Sequence, residues 1–363
     1  MRGLSGRLAG TFSSGWPSWR SVRGGAAPNF TIRLAASLEK EALKLNLPAD
    51  PAMIIADARK TSQQQGVSAF PQVWEALEQS LITLVYGSNL IETAGSNLRI
   101  TVKLCRAIFR GEQVEDIIDE HDPEYKEHIE VLMSTYRKGD HAGVAQSRKE
   151  VIQHAKALSF IIDHVILNNE PISEALILET HRILYGSMGD DEVTPGRYRE
   201  HEVAVSYSKP GETKRKVSRC LRASAVPKYM KDLVENLNQE ITEAEQTENM
   251  DPYTLAARYH HQFVMVHPFG DGNGRMSRII MNVLLLKYAG HITLFGSEGT
   301  EKDDYLNIVG RGRKVFEQED MEVEFLEQTG HYEFARFVLA KSRSGLEQML
   351  TWARRERNAN VSK

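Results

Sequence analysis

The sequence predicts an all-α protein with one β-hairpin, and three observations indicate this class. From Glu39 onward, apolar residues recur three to four positions apart through most of the chain, as on one face of a helix. Alternating apolar and polar residues, the pattern of a strand, occur at 203–207 and more weakly at 219–225, on either side of the turn Lys209-Pro-Gly. The 363 residues contain no internal repeat and no low-complexity linker. We therefore expect a helical core that carries a single hairpin.

Apolar periodicity, capping residues and chain breaks define the individual helices. Ser37, which is followed by acidic residues, opens a first helix. Pro171 and Ser173 open the helix 174–185 after a break at 168–171. The other predicted helices span 70–92, 99–110, 122–138, 148–167, 227–243, 251–266, 273–288, 302–318 and 332–355.

Composition excludes several classes of protein. The formal net charge is −4, so whole-chain charge indicates neither a nucleic-acid partner nor a membrane surface. The longest apolar run, 279–286, is interrupted by Asn282 and is far shorter than the roughly 18 residues of a membrane span, so we expect a buried helix there. Cys105 and Cys220 lie far apart, which excludes a disulfide framework and favours a reducing compartment.

The first 38 residues differ from the rest of the chain. They contain five arginines and no Asp, Glu or Lys, and Leu4, Leu8 and Phe12 recur at helical spacing. This composition is typical of a mitochondrial presequence. A disordered tail, or a start codon placed too early, explains it equally well, and the protein is then expected in the cytoplasm or nucleus.

Residues 267–278 combine a glycine-rich loop with the start of a helix. Pro268 disfavours helix at the residue before it, so the incoming helix is expected to end at His267. Gly270, Gly272 and Gly274 allow the backbone to approach a ligand closely. Because the free N–H groups and the dipole of a helix start attract negative charge, this arrangement predicts an anion site.

Four charged or titratable side chains surround this predicted anion site. Arg275 and Arg278 are three residues apart, so both can face one anion, and their charge opposes the helix dipole unless an anion is bound. Asp271 supplies a carboxylate suited to Mg²⁺, and His267 can act as a general base at neutral pH. From residue types alone, the segment indicates either metal-assisted phosphate chemistry or a tight polar turn.

The same residues resemble the signature of the Fic family, His-x-Phe-x-Asp/Glu-Gly-Asn-Gly-Arg-x-x-Arg. Every fixed position is matched, by His267, Phe269, Asp271, Gly272, Asn273, Gly274, Arg275 and Arg278. The resemblance extends over about 150–328, with the helix of His181 as the family's opening helix and 196–207 as its hairpin flap. It implies a Fic-type all-α core with one hairpin flap, and transfer of AMP from ATP to Ser, Thr or Tyr hydroxyls of a target protein.

The resemblance also implies a role for each motif residue. His267 would deprotonate the target hydroxyl, and Asp271 would hold Mg²⁺. The phosphates of ATP would contact Gly272, Asn273, Gly274, Arg275 and Arg278 of the signature, together with Gly270 at one of its variable positions. His260 and His261 precede the motif, but they are expected to be structural because the family places no metal there.

A second segment resembles the family's autoinhibitory helix, Ser/Thr-x-x-x-Glu-Gly/Asn. Ser88 and Glu92 match it, whereas Thr93 departs from the usual Gly or Asn. The resemblance implies that Glu92 pairs with Arg278 and occupies the position of the γ-phosphate. The predicted organisation is therefore a tail (1–38), an N-terminal helical region (39–149) with the inhibitory helix at about 80–93, a Fic domain (150–328) and a C-terminal helix (329–363).

Some alternatives remain open at the level of sequence. Glu92 could instead position water for removal of AMP from a modified protein, or the chain could be a non-catalytic nucleotide-binding regulator. The flap at about 203–225 is rich in Lys and Arg, which indicates either a docking edge for the target or a strand edge protected by charge. We expect no nucleic-acid or membrane partner, and the sequence leaves a homodimer open.

Overall fold

The computed structural model describes residues 71–186, 193–207, 216–247 and 250–342. The predicted tail (1–38), the helix opening at Ser37, the turn at Lys209 and the last part of the C-terminal helix lie outside these residues. The helices are α1 (Pro71–Ile91), α2 (Leu98–Phe109), α3 (Pro123–Ser134), α4 (His141–Ile162), α5 (Glu174–Tyr185), α6 (Val226–Thr247), α7 (Pro252–Val266), α8 (Asn273–Ala289), α9 (Glu301–Glu319) and α10 (332–342).

The expected class, an all-α core with one hairpin, is confirmed. Among the described residues, the only sheet consists of β1 (Ala204–Tyr207) and β2 (Lys216–Arg219), paired antiparallel with Ala204 opposite Arg219. The return strand was predicted at 219–225, which is wrong. It lies earlier because Ala223–Ala225 forms a 3₁₀ turn that leads into α6.

Two predicted helix limits in the N-terminal half also differ from the structure. The helix predicted over 122–138 ends at Ser134, because Tyr136 adopts a positive φ of 57° and the Arg137 N–H closes the end on the Leu132 carbonyl. The helix predicted from 148 begins earlier, where the Asp140 carboxylate caps α4.

The acidic segment 112–130 lies largely at the surface, as expected for a solvated helix face, but two of its polar side chains are buried. Glu124 is buried between Lys103 and Arg148, and its carboxylate accepts hydrogen bonds from both. His128 is fully buried and contacts the hydroxyls of Ser96 and Ser147. These groups join α2, α3 and α4 through paired buried charges and hydrogen bonds.

Helix α8 lies at the centre of the core. Its apolar run from Ile279 to Leu286 is buried on every side, and α1, α4 and α7 pack around it. Asn282, which interrupts the run, is satisfied by its own helix and by the backbone N–H of Thr293. This burial fixes the start of α8 rigidly beside the end of α1. No helix in the described part of the chain is long and apolar enough to cross a bilayer.

Candidate functional site

The candidate site is the loop that joins α7 to α8. His267 ends α7 in a left-handed conformation, with φ 52° and ψ 61°, and its N–H donates to the Phe263 carbonyl. Gly272 precedes α8 with φ 80°, a value that glycine adopts without strain. The chain therefore makes two sharp changes of direction within six residues. These changes bring the chain directly from the end of α7 to the N-terminus of α8.

A buried clamp fixes the shape of this loop. Asn273 accepts a hydrogen bond from the Phe269 N–H at 2.9 Å and donates to the Phe269 carbonyl at 2.8 Å. The Phe269 ring is fully buried and stacks on His181 with 3.6 Å between ring centroids. Phe269 thus anchors the loop in the core, and Asn273 ties the loop to the first turn of α8.

Helix α5 contacts the loop through two side chains, His181 and Tyr185. The Gly196 N–H donates to His181 Nδ1 at 3.0 Å, so Nε2 carries the proton and donates to the Asp271 carbonyl at 3.1 Å. Burial lowers the pKa of His181 to about 4, which keeps this ring neutral. The Tyr185 hydroxyl donates to Asp271 Oδ2 at 3.1 Å, which orients that carboxylate.

Arg275 is buried, and two of its three guanidinium nitrogens lack hydrogen-bond partners among the described residues. Its exposed fraction is 4%, and Nη2 lies 3.5 Å from Asp271 Oδ2. Nε and Nη1 have no hydrogen-bond partner among the described residues. Since buried cationic groups are normally paired, this arrangement leaves two donors at the helix start for an anion.

Arg278, one turn later, has a partner at each nitrogen. Nη2 lies 2.6 Å from Glu92 Oε1 and 3.0 Å from the Ser88 carbonyl. Nε donates to Ser88 Oγ at 2.8 Å, and Nη1 donates to the Tyr305 hydroxyl at 3.3 Å. The structure thus brings together the two residues of the predicted inhibitory segment and the second arginine of the motif.

Glu92 lies directly over the start of α8. A Cβ atom added at Gly274 would come within 2.1 Å of Glu92 Oε1, so only glycine permits this approach. The side chain remains 35% exposed, whereas that of Arg278 is 1% exposed. Glu92 therefore places negative charge at the helix N-terminus, where the dipole favours it, and remains accessible from solvent.

The end of α1 is closed by an uncommon residue. Thr93 has φ 56°, while the N–H of Ala94 donates to the Asn89 carbonyl and that of Thr93 to the Leu90 carbonyl. This is the Schellman pattern, whose left-handed position is usually glycine. Lys302 from α9 donates to the Leu90 carbonyl and to Thr93 Oγ1, both at 3.2 Å. The departure of Thr93 from the family pattern is thus accommodated, with the side chain held by a lysine.

The imidazole of His267 is half-buried and lies near the guanidinium groups of two arginines. Burial lowers its pKa to about 4, and the guanidinium groups of Arg313 and Arg199 act in the same direction. The Val264 carbonyl and the Asp271 carboxylate oppose this shift. His267 is consequently neutral near pH 7 and able to accept a proton.

The structure agrees with a structural role for His260 and His261. His260 stacks on Phe334 with 4.2 Å between centroids and contacts the Tyr305 hydroxyl, and His261 lies against Gly312 and Gly330. Within the described ranges, no group of three or more His, Cys, Asp or Glu side chains is arranged to hold a metal ion.

Several residues of the site escaped the analysis of the sequence. Tyr185, Arg199, Lys302 and Tyr305 carry no local signal, because each is a common residue type in an ordinary helix or loop. Only the three-dimensional structure shows that they contact the loop, the end of α1 or Arg278. His181 was noted only as part of its helix, and its hydrogen bond to the loop is also new.

Comparison with known proteins places this geometry in a family. The model of the Fic/DOC family matches residues 171–285. The chain is 33% identical over 143 residues to a protein adenylyltransferase, fic-1, of Caenorhabditis elegans, which covers 39% of the chain but 25% of that relative. A Fido domain-containing protein of Dictyostelium discoideum is 33% identical over 126 residues, covering 35% of the chain and 77% of that relative. The chain therefore spans only about a quarter of the first of these relatives.

Solved structures show the same fold. A Fic domain-containing signaling protein from Bacteroides thetaiotaomicron superposes with a TM-score of 0.56 at 18% identity, over 83% of this chain and 96% of that one. Fic-1 from C. elegans gives 0.50 at 20% identity, over 90% and 76%. Together with the family model and the match to most of the Dictyostelium relative, these results establish that the chain belongs to the Fic (Fido) family.

Proposed function

We propose that this protein is an adenylyltransferase that transfers AMP from ATP to a Ser, Thr or Tyr hydroxyl of another protein. One observation carries the proposal: the buried guanidinium of Arg275 has two unpartnered donors at the start of α8, among the residues described. A triphosphate supplies the oxygens that such donors lack. Several relatives are named protein adenylyltransferase, which supports this choice of phosphate chemistry.

The residues around Arg275 fit the binding of Mg-ATP. The Asp271 carboxylate is 60% exposed and is oriented by Tyr185, and Mg²⁺ characteristically takes one or two protein carboxylates beside phosphate oxygens and water. We assign Asp271 to the metal, and the backbone of Gly270, Gly272, Asn273 and Gly274 to the inner phosphates. When bound, the ion would neutralise charge on the phosphates.

The proposed chemistry needs one proton acceptor and one leaving group. Neutral His267 removes the proton from the target hydroxyl, and the oxygen bonds to the α-phosphorus of ATP. The bond from that phosphorus to the bridging oxygen breaks, and pyrophosphate leaves with the electron pair. Arg275 stabilises the negative charge that develops on the phosphates.

Autoinhibition by Glu92 is the second part of the proposal. Glu92 and Ser88 occupy three of the donor contacts of Arg278, so this arginine is withheld from the terminal phosphate of ATP. ATP would then bind with its α-phosphorus turned away from the attacking oxygen. Removing the Glu92 carboxylate would free Arg278 for the terminal phosphate.

The direct test uses the Glu92→Gly variant with labelled ATP and a cell lysate. We expect label from [α-³²P]ATP, but not from [γ-³²P]ATP, in target proteins or in the enzyme itself, at a level well above that of the unaltered protein. Glu92→Gly/His267→Ala is the matched control, which should bind ATP but transfer no AMP. An unchanged rate in Glu92→Gly would contradict autoinhibition, and retained transfer in the double variant would assign the base elsewhere.

The reverse reaction is a second candidate, favoured by the partial exposure of Glu92 beside the phosphate site. A carboxylate reached by solvent can orient a water molecule toward the phosphorus of an AMP-modified side chain. Incubating the unaltered protein with a target modified beforehand by Glu92→Gly would reveal it through release of AMP. If so, the Glu92→Gly variant should gain the transfer of AMP and lose the removal of AMP.

The hairpin remains our proposed docking element for the target. Both strands have a free edge among the described residues, and Val217 on β2 is 68% exposed. An extended target segment could pair with such an edge and bring its hydroxyl toward His267. The target itself is unspecified beyond a Ser, Thr or Tyr side chain in an extended segment.

A further inference from the structure

We propose that Arg199 is a positioning residue that holds His267 in register with the base of the hairpin. This inference rests on the proposed transfer reaction, because it concerns the same proton acceptor. Arg199 lies in the segment between α5 and β1, and its exposed fraction is 4%. Arg199 is not part of the signature motif.

The guanidinium of Arg199 binds backbone carbonyls of three separate segments. Nε donates to the carbonyl of His267 at 2.7 Å, and Nη2 donates to the Leu221 carbonyl and, at 3.4 Å, to that of Val266. Nη1 donates to the His201 carbonyl at 3.0 Å. The backbone N–H of Arg199 adds a bond of 2.9 Å to the Pro268 carbonyl. One side chain and its own backbone therefore tie the end of α7 to both sides of the hairpin base.

The location of these carbonyls indicates why an arginine is needed. Val266 and His267 end α7, where carbonyls have no intrahelical partner and carry partial negative charge. The planar fork of a guanidinium can satisfy several of them at fixed angles, which a single ammonium group cannot do. Among the described residues, Arg199 forms no salt bridge, so its side chain is devoted to this backbone junction.

The junction bears on the reaction because two parts of the site must meet. The proposed target segment docks on the hairpin, whereas the proton acceptor belongs to the loop after α7. A rigid connection between them sets the distance from the target oxygen to His267, and a misplacement of about 1 Å can cost about 10²-fold in rate. Arg199 thus orients His267 without contacting the substrate.

The test compares Arg199→Met and Arg199→Lys in the Glu92→Gly background. We expect Met to lower kcat for AMP transfer by about 10²-fold, with little change in the affinity for ATP measured calorimetrically with Mg²⁺ and a non-transferable ATP analogue. Arg199→Lys keeps the charge and one or two of the hydrogen bonds. Its kcat should therefore be at least about a tenth of that of the parent. Arg197→Met, which alters an exposed arginine two residues away, is the matched control and should leave kcat unchanged.

A pH profile distinguishes positioning from a general loss of structure. The charged groups that act on His267 are Arg199, Arg313 from α9 and Asp271 in the loop. In Arg199→Met, the loss of positive charge near His267 should raise the apparent pKa of the acid limb of the kcat–pH profile. Arg199→Lys keeps the charge and should retain the original profile. A fall in kcat with an unchanged profile, an equal fall in ATP affinity and no recovery by Lys would overturn the proposal.

Hydrogen exchange tests the junction independently of any reaction. In Arg199→Met, the backbone amides of His267, Phe269 and Gly270 and those of β1 should exchange faster, while those of α2 keep the rates of the parent. Unchanged exchange at 267–270 would refute the positioning role even if the parent transfers AMP. If the parent transfers no AMP while exchange changes as expected, the junction stands and the proposed function is what fails.

Discussion

Arg275 and Arg278 lie one turn apart on the same helix, yet their surroundings are opposite. The guanidinium of Arg278 bonds to Glu92, Ser88 and Tyr305, so all three nitrogens have partners. That of Arg275 lies 3.5 Å from Asp271 and 6.0 Å from the centre of the Tyr185 ring, and two of its nitrogens have no hydrogen-bond partner in the described part of the chain. Both side chains are almost completely buried, so burial does not explain the difference.

The difference comes from what packs against each side of α8. The end of α1 covers the side of Arg278 and brings its own carboxylate, whereas the side of Arg275 faces the loop of Asp271. Buried cations are costly unless they are paired. Arg278 forms a complete ion pair, whereas Arg275 is only partly paired. We infer that nucleotide enters first at Arg275, and that access to Arg278 depends on displacement of Glu92.

The largest predicted contrast is in stability. Arg278→Met should lower the free energy of unfolding by about 3–5 kcal/mol, because it leaves the partners of a buried pair unsatisfied. Arg275→Met should change it by less than about 1 kcal/mol, or raise it, because a buried and largely unpaired cation is replaced by an apolar side chain. Chemical denaturation of both variants without nucleotide measures this. Equal losses would mean that Arg275 is as fully paired as Arg278 in the folded protein.

The same two variants should also differ in their response to ligand, this time with the larger defect in Arg275→Met. Mg-ATP should raise the melting temperature of the unaltered protein and of Arg278→Met, but not that of Arg275→Met, since we assign initial binding to Arg275. Stabilisation of Arg275→Met by Mg-ATP would contradict the assignment. The experiment therefore separates the structural from the ligand-binding arginine.

A smaller effect is expected from neutralising Glu92 without removing it. Glu92→Gln keeps the side chain over Gly274 but loses the charge, so its contact with Arg278 should weaken by about 1–2 kcal/mol. AMP transfer should rise, but less than in Glu92→Gly, because the amide still obstructs the terminal phosphate. Initial rates of AMP transfer from labelled ATP should increase in the order Glu, Gln, Gly at position 92. Equal rates for Gln and Gly would show that charge alone maintains inhibition.

The sequence predicts one side of this comparison far better than the other. The loop and the start of α8 follow from local rules, because Pro268, the glycines and the apolar period each act on their neighbours. The pairing of Glu92 with Arg278 joins residues 186 positions apart. No spacing rule reaches that far, so only the resemblance to the Fic family predicted the contact. Tyr305, on a third helix, was predicted by neither.

The hairpin shows the same limit on a smaller scale. Strand β1 was expected from its alternation, but the position of its partner depends on pairing across a turn and on the 3₁₀ segment that follows. Those are tertiary constraints, which alternation in a short segment does not encode. The predicted domain boundaries at 149/150 and 328/329 stay predictions.

The smallest predicted effect concerns Thr93, which ends the helix that covers Arg278. A β-branched residue at φ 56° is strained, and glycine is the usual residue at this left-handed position, so Thr93→Gly should stabilise the end of α1 by about 1 kcal/mol. Because this end carries Glu92, basal AMP transfer should fall about fivefold, the factor that 1 kcal/mol represents. In the Glu92→Gly background the same change should leave the rate unaltered.

Thr93→Val is the matched control for this last prediction. Valine keeps the branched side chain and its strain but removes the hydroxyl that accepts a hydrogen bond from Lys302. It should therefore loosen the end of α1 and raise basal transfer, which is the opposite of the effect of glycine. If glycine and valine shift the rate in the same direction, the strain at Thr93 does not control how firmly the end of α1 packs over Arg278. The contrast between the two arginines would then depend on the partners of Arg278 (Glu92, Ser88 and Tyr305) without a contribution from Thr93.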